Sequence, residues 1–251
     1  DKSESKTITN NLTLRWDIWK GFYLTGSFSY SLSDSQSDKF VSPDHSSFET
    51  ETDPGKRGSY FISNMRGKSW QARIGLTYSK TLSDNGSILT LNVGANANKS
   101  NSNSNSFSGI GFLKGNLTDM AFANSYPTNG QPSGSESLSS SVGVFGNLNI
   151  IFLNRYFVDG SYRVSGSSKF GKDRRFAPFW SVGIGWNAHN ESFLSDLGWF
   201  DIFRIRGSVG YTGSVNFSDY QAITTYLYKQ DNNYLISMGA LPITMGNDRL
   251  K

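Results

Sequence analysis

Six charged side chains fall on the polar side of segments in which apolar and polar residues alternate: Arg15, Arg73, Asp159, Arg163, Arg204 and Arg206. A guanidinium presents a planar fork of donors matched to carboxylates, so the chemistry on offer is anion recognition or the lining of a polar passage. Catalytic groups do not accompany them. His45 stands in a loop and His189 at the polar end of a strand. Gly-x-Ser-x-Gly, His-Glu-x-x-His and phosphate-loop patterns are absent. Without cysteine, neither a disulfide framework nor a thiolate metal site can form. Asp34, Asp38 and Asp44 read as solvated loop carboxylates rather than cation ligands. The expectation is no catalysis, no metal and no cofactor.

The elements that must position these charges have period two. In strands, neighbouring residues face opposite sides, so alternation makes one apolar and one polar wall. Between 154 and 213 the pattern recurs three times. Tyr156, Val158, Tyr162 and Val164 oppose Asp159, Ser161 and Arg163. Trp180, Val182, Ile184 and Trp186 oppose Ser181, Gly183 and Gly185. Phe203, Ile205, Val209 and Tyr211 oppose Arg204, Arg206 and Ser208. Five earlier segments behave alike: 7–17, 22–33, 69–82, 89–97 and 137–152. The second of them has a polar wall made almost wholly of hydroxyls.

The connections between these eight strands alternate in length. Those at 19–21, 83–87 (holding Asn85-Gly86) and 153–155 are short; those at 34–68, 98–136 and 165–177 are long. The Asn- and Ser-rich tract beginning at 98 reads as a loop. Long structureless loops are rare in compact domains but regular in outer-membrane barrels, which have short periplasmic turns and long extracellular loops. Trp16, Trp19, Phe22 and Tyr156 lie beside short turns, where an interfacial aromatic belt belongs. The fold class is therefore all-β, an antiparallel up-and-down transmembrane β-barrel pattern of about eight strands. The mean hydropathy of −0.43 does not oppose this, because polar loops and a polar lumen mask the lipid-facing wall. No apolar run is long enough for a membrane helix. The net charge of +4 is spread without a basic stripe, so nucleic acid is not an expected partner.

The motifs RYFVDGSYRVSGSSKFG (155–171), FWSVGIGWNAHNESFL (179–194) and FRIRGSVGYTGSVNFSDYQA (203–222) resemble, as a set, the SusC/RagA-type TonB-dependent transporters of Bacteroidota outer membranes. GNDRLK (246–251) is similar to the start of that family's Gly-Asn-x-x-Leu-Lys-Trp-Glu element. Ser165 stands where the family usually has Asp, and Lys169 where Arg is commoner, so a salt bridge between those positions is not expected. The resemblance implies a barrel of 22 strands, a plug with a TonB box, a SusD-like lipoprotein lid and active import. On that basis residues 1–251 are expected to be an interior portion of the barrel, without plug or signal peptide, in a bacterial outer membrane.

Individual residues acquire expected roles from the same resemblance and from their facing. Arg73, Asp159, Arg163, Arg204 and Arg206 are candidates to face the lumen, holding plug carboxylates or lining the substrate path. Phe170, Tyr220, Tyr226 and Tyr228 are candidates for loop contacts with an oligosaccharide or peptide, since aromatic faces serve both. The partners implied are a SusD-like lipoprotein, a TonB complex, the transported substrate and membrane lipid. A complete small outer-membrane barrel, acting as a pore or adhesin, and a soluble β-sandwich binding module are the alternatives.

Overall fold

A computed structural model describes residues 1–83, 86–115, 118–128, 130–195, 201–214, 217–234 and 237–250. Ten strands follow in order: β1 (Lys2–Trp19), β2 (Phe22–Val41), β3 (Ser59–Ser83), β4 (Ser87–Ile110), β5 (Ser133–Phe152), β6 (Tyr156–Ser167), β7 (Phe176–Asn187), β8 (Arg204–Tyr211), β9 (Thr225–Tyr234) and β10 (Ser237–Thr244). The first eight form one sheet whose spatial order equals their sequence order, the up-and-down topology. β9 and β10 pair as a separate antiparallel hairpin, which periodicity alone does not reveal. The chain divides into two compact units, Asp1–Asn10, Tyr30–Trp70 and Ser100–Leu138 in one, Asn11–Ser29, Gln71–Lys99 and Ser139–Lys251 in the other.

In the second unit the register confirms the facing read from period two. Val158 pairs with Ile184 and Ile150, and Ser161 with Ser181 and Asn147. Across β7 and β8, Val182 meets Val209 and Ser181 meets Gly210. Apolar positions thus abut apolar positions. That wall is not buried: Val144, Val158, Tyr162, Trp180, Val182, Ile184 and Val209 are all exposed. The buried apolar side chains among the described residues are few: Pro43, Phe112, Phe170, Ala177, Ala188 and Ala222. A β-sandwich buries such a face against a second sheet, and no described element covers this one.

The short turns are laced to their neighbours. Leu153 and Asn154 adopt φ of 53° and 55°, a left-handed conformation unfavourable for Leu. They are held by Leu153 N–H donating to Ser87 Oγ (3.0 Å) and Asn154 N–H donating to the Gly86 carbonyl (3.3 Å). Gly86 itself has φ of 78°, as the expected hairpin requires.

The long connections differ from expectation. β2 runs to Val41 and β3 begins at Ser59, so the connection is 42–58 rather than 34–68. β4 continues to Ile110 and β5 starts at Ser133, so much of the low-complexity tract expected to be loop is strand. The physical reason is that the extensions of β2 and β4 are polar on both faces over most of their length, so they carry no alternation. The start of β3 has apolar residues in succession, Tyr60, Phe61 and Ile62. Ladder pairing and cross-strand polar contacts hold them, as between Ser106 and Ser133 (2.7 Å) and from Asn101 Nδ2 to Glu136 Oε1 (3.2 Å). Beyond the strands, within the first unit, the two connections dock on each other. Gly111 N–H donates to the Gly58 carbonyl and Phe112 N–H to that of Arg57, while Phe112 packs edge-on against Phe40 at 5.4 Å between ring centroids.

Candidate functional site

The polar wall of β3–β8 in the second unit gathers the charged candidates, and local contacts hold Arg73, Asp159, Arg163 and Arg204. Phe157 lies flat over Gly185, where any Cβ would penetrate its ring. The Arg204 guanidinium stands 5.8 Å from the Phe157 ring centroid, and its Nε donates to Asn187 Oδ1 at 2.6 Å. The same arrangement recurs on β3–β5: Phe145 covers Gly94, and Arg73 sits 4.9 Å above the Phe145 ring. Aromatic rings laid over glycines give the cations a π face to rest on, worth about 0.5–1 kcal/mol at exposed sites.

Arg163 is arranged differently. Its Nε donates to Ser165 Oγ (2.6 Å) and one terminal nitrogen to Asn96 Oδ1 (3.1 Å). No described carboxylate pairs with it. It opens onto a cavity of about 440 Å³ bounded by the ends of β5, β6 and β7 and the loop after β6. Asp159 accepts from Asn149 Nδ2 and shares a second recess, of about 490 Å³, with Arg206, Ser181 and Ser208. Among the described residues Arg206 and Asp159 form no ion pair.

At the short-turn end lies a cluster that the sequence presents only as a turn. Glu191, 9% exposed, follows β7 and accepts from three side chains. The Tyr156 hydroxyl (2.8 Å) and Trp186 Nε1 (3.1 Å) donate to Oε1, and Arg155 Nη1 donates to Oε2 (2.8 Å). The Tyr156 hydrogen bond, then that of Trp186, and the Arg155 charge hold the Glu191 carboxyl below the usual carboxylate range despite its burial. Asn187 and Asn190 both donate to the Asn154 carbonyl, completing the tie between the β5–β6 turn and the connection after β7. His189, expected at a strand end, sits in a short turn with its Nδ1 against the Phe203 backbone. The available signal is Glu191 within the Glu-x-Phe-Leu motif, with Arg155 and Tyr156 in the preceding one; their contact does not follow from spacing.

The loop candidates separate. Phe170, one of the loop-contact candidates, is buried, 6% exposed, and its ring packs within the loop after β6. Its loop is pinned by Gly171 N–H donating to the Leu250 carbonyl and Asp173 N–H to that of Asp248. Lys169 is also engaged, with Asp219 at 3.0 Å and the Phe217 carbonyl at 3.2 Å. The position where the family more often has Arg thus makes its ion pair with Asp219, not with residue 165. Tyr220 (φ 66°) and Tyr226 are exposed, the latter on β9. Tyr228 pairs with Ala240 in the hairpin, and its side chain lies outside the described residues.

Comparison with known proteins finds relatives in both sequence and fold. No protein-family profile matches the chain. TonB-dependent receptor SusC from Bacteroides thetaiotaomicron is 39% identical over 93 residues, 37% of this chain and 9% of that protein. A TonB-dependent receptor from Formosa agariphila is 28% identical over 123 residues, 49% of this chain and 11% of its own length. In structure, the chain matches the RagAB peptide importer in its open-open state with a TM-score of 0.84 and 21% identity. That match covers 99% of this chain and 26% of the solved chain. The chain is thus similar in sequence, over part of its length, to TonB-dependent receptors including SusC, and in fold, over almost all of it, to the RagAB peptide importer; it spans about a tenth of the curated relatives it matches.

Proposed function

We propose that the chain is part of the wall of an outer-membrane β-barrel that imports oligosaccharides or peptides, driven by a TonB complex through a plug and served by a SusD-like surface lipoprotein. The observation that carries this reading is the sheet of β1–β8, apolar and exposed along one wall and polar along the other, with no described element over the apolar side. Such a wall suits lipid. In hydrocarbon every backbone donor and acceptor must be satisfied within the protein, which a continuous strand ladder achieves. β6 and β7, at 12 residues each, are long enough for a tilted span. Trp16, Trp19, Phe22 and Tyr156 would then sit at the inner interface.

The polar wall would face the lumen. Its arginines, braced over Phe145 and Phe157, would present charge to a plug or a passing substrate without burying it in lipid. The wall performs no bond chemistry in this reading; its contribution is a rigid, wettable surface. The test is uptake in a cell carrying the full-length gene. Labelled substrate should enter only when the outer-membrane protein and TonB are both present, and the lipoprotein should co-purify in detergent. Uptake indifferent to TonB would remove the importer reading, and recovery in the soluble fraction would remove the membrane one.

A further inference from the structure

The cavity beside Arg163 has a composition that selects one kind of ligand. It is a half-open recess of about 440 Å³, large enough for one or two sugar rings. Among the described residues lining it, the single uncompensated charge is Arg163. The other cation on its rim, Lys169, is neutralised by Asp219 at 3.0 Å and held by the Phe217 carbonyl. Arg163 is steered from two sides, by Ser165 and Asn96, and these bonds use its Nε and one terminal nitrogen. Among the described residues the other terminal nitrogen has no partner, which leaves it to donate to a ligand.

Facing Arg163 across the β6–β7 ladder is Phe179, its direct Cα partner. The Phe179 ring is half-buried and packs where a side chain on Gly213 would stand, so one wall of the recess is a fixed aromatic surface. The rest of the lining is short and hydroxylated, with Ser139, Ser141 and Thr212 among it. A ligand matched to this set needs a carboxylate for the guanidinium, an apolar ring face for Phe179 and hydroxyls for the serines. An acidic sugar has all three on one residue.

We propose that this recess binds a carboxylate-bearing sugar, a uronate unit of an oligosaccharide, with its carboxylate on Arg163 and its ring against Phe179. The proposal rests on the importer reading and narrows its substrate class.

The test uses the detergent-purified full-length protein and titration calorimetry with tetragalacturonate, tetramannuronate, methyl-esterified tetragalacturonate and tetraglutamate. At least one uronate should bind, more weakly at high salt, and the ester should bind far less well. Arg163→Gln should weaken uronate binding about tenfold or more, the loss expected for a charge-assisted hydrogen bond. Arg163→Lys should retain part of the affinity, and Phe179→Leu should lose several-fold. Unchanged heat-modifiable migration on a gel would show that each variant still folds. Equal binding of acid and ester, no binding of either uronate, or Arg163→Gln without effect would overturn the assignment. Binding of tetraglutamate in preference to both uronates would also overturn it. TonB-dependent uptake of another substrate that survives Arg163→Gln would leave the importer reading standing while this site falls.

Discussion

The Tyr156 hydroxyl donates to Glu191 Oε1 at 2.8 Å, so the first residue of β6 is tied to the connection that follows β7. The carboxylate also holds Arg155 and Trp186, and through them one buried group fixes the ends of adjacent hairpins. The bonds favour the ionised form, so the Glu191 pKa is lowered in the folded protein. Its stabilising effect is therefore full above the ordinary carboxylate value near 4.5 and lost as pH falls through the lowered folded value. Glu191→Gln should lower the thermal midpoint at neutral pH and flatten the acid limb of the stability profile, measured by the gel-shift melting temperature from pH 3 to 7. Tyr156→Phe should do so more weakly. An acid limb unchanged in Glu191→Gln would contradict the assignment.

The pairing of Phe157 with Gly185 makes a second prediction. Gly185→Ala places a methyl group inside the ring, forcing Phe157 off its seat and away from Arg204. Overpacking of this kind costs about 1–3 kcal/mol. Adding Phe157→Ala should recover most of that loss. A double-mutant cycle read by urea unfolding in detergent checks it, and strict additivity of the two changes would refute the contact.

Facing is tested by neighbours on one strand. Val182 is on the exposed apolar wall, and Ser181, bonded to Ser161 at 2.7 Å, is on the polar one. Val182→Arg should cost roughly 2–4 kcal/mol if the residue meets the bilayer near its midplane, and assembly in the outer membrane should fail. Ser181→Arg should lose only one exposed hydrogen bond and assemble. Membrane fractionation of both variants decides the matter, and equal yields would reverse the picture.

At the β5–β6 turn, Leu153 carries a φ of 53°. For a non-glycine residue that conformation costs about 1–2 kcal/mol. Leu153→Gly should relieve much of it while keeping the N–H bond to Ser87 Oγ. Part of the gain is returned because glycine loses more entropy on folding. A small net rise in melting temperature is expected; a fall would mean the Leu153 side chain contributes more than the strain removes.

Much of this molecule is legible in its residues because a strand with unlike faces declares itself by alternation. All eight strands of the sheet, the short turns and the polar facing of Arg163, Arg204 and Arg206 come from that rule. It fails where both faces are alike. The Asn- and Ser-rich extension of β4 has no apolar wall to count, and only pairing with its neighbours makes it strand. The β9–β10 hairpin escapes because Asp231, Asn232 and Asn233 break its alternation.

Period two, turn residues and loop lengths thus determined, from local chemistry alone, an up-and-down sheet with one apolar and one polar wall. Tertiary structure decided which polar groups meet. Glu191 bonds Tyr156 from 35 positions away, Arg163 reaches Asn96 across 67, and Phe170 is buried in a loop joined by its backbone to residues 248–250. Those contacts depend on register between strands and on loops closing in space, and neither is encoded in the spacing of a single segment.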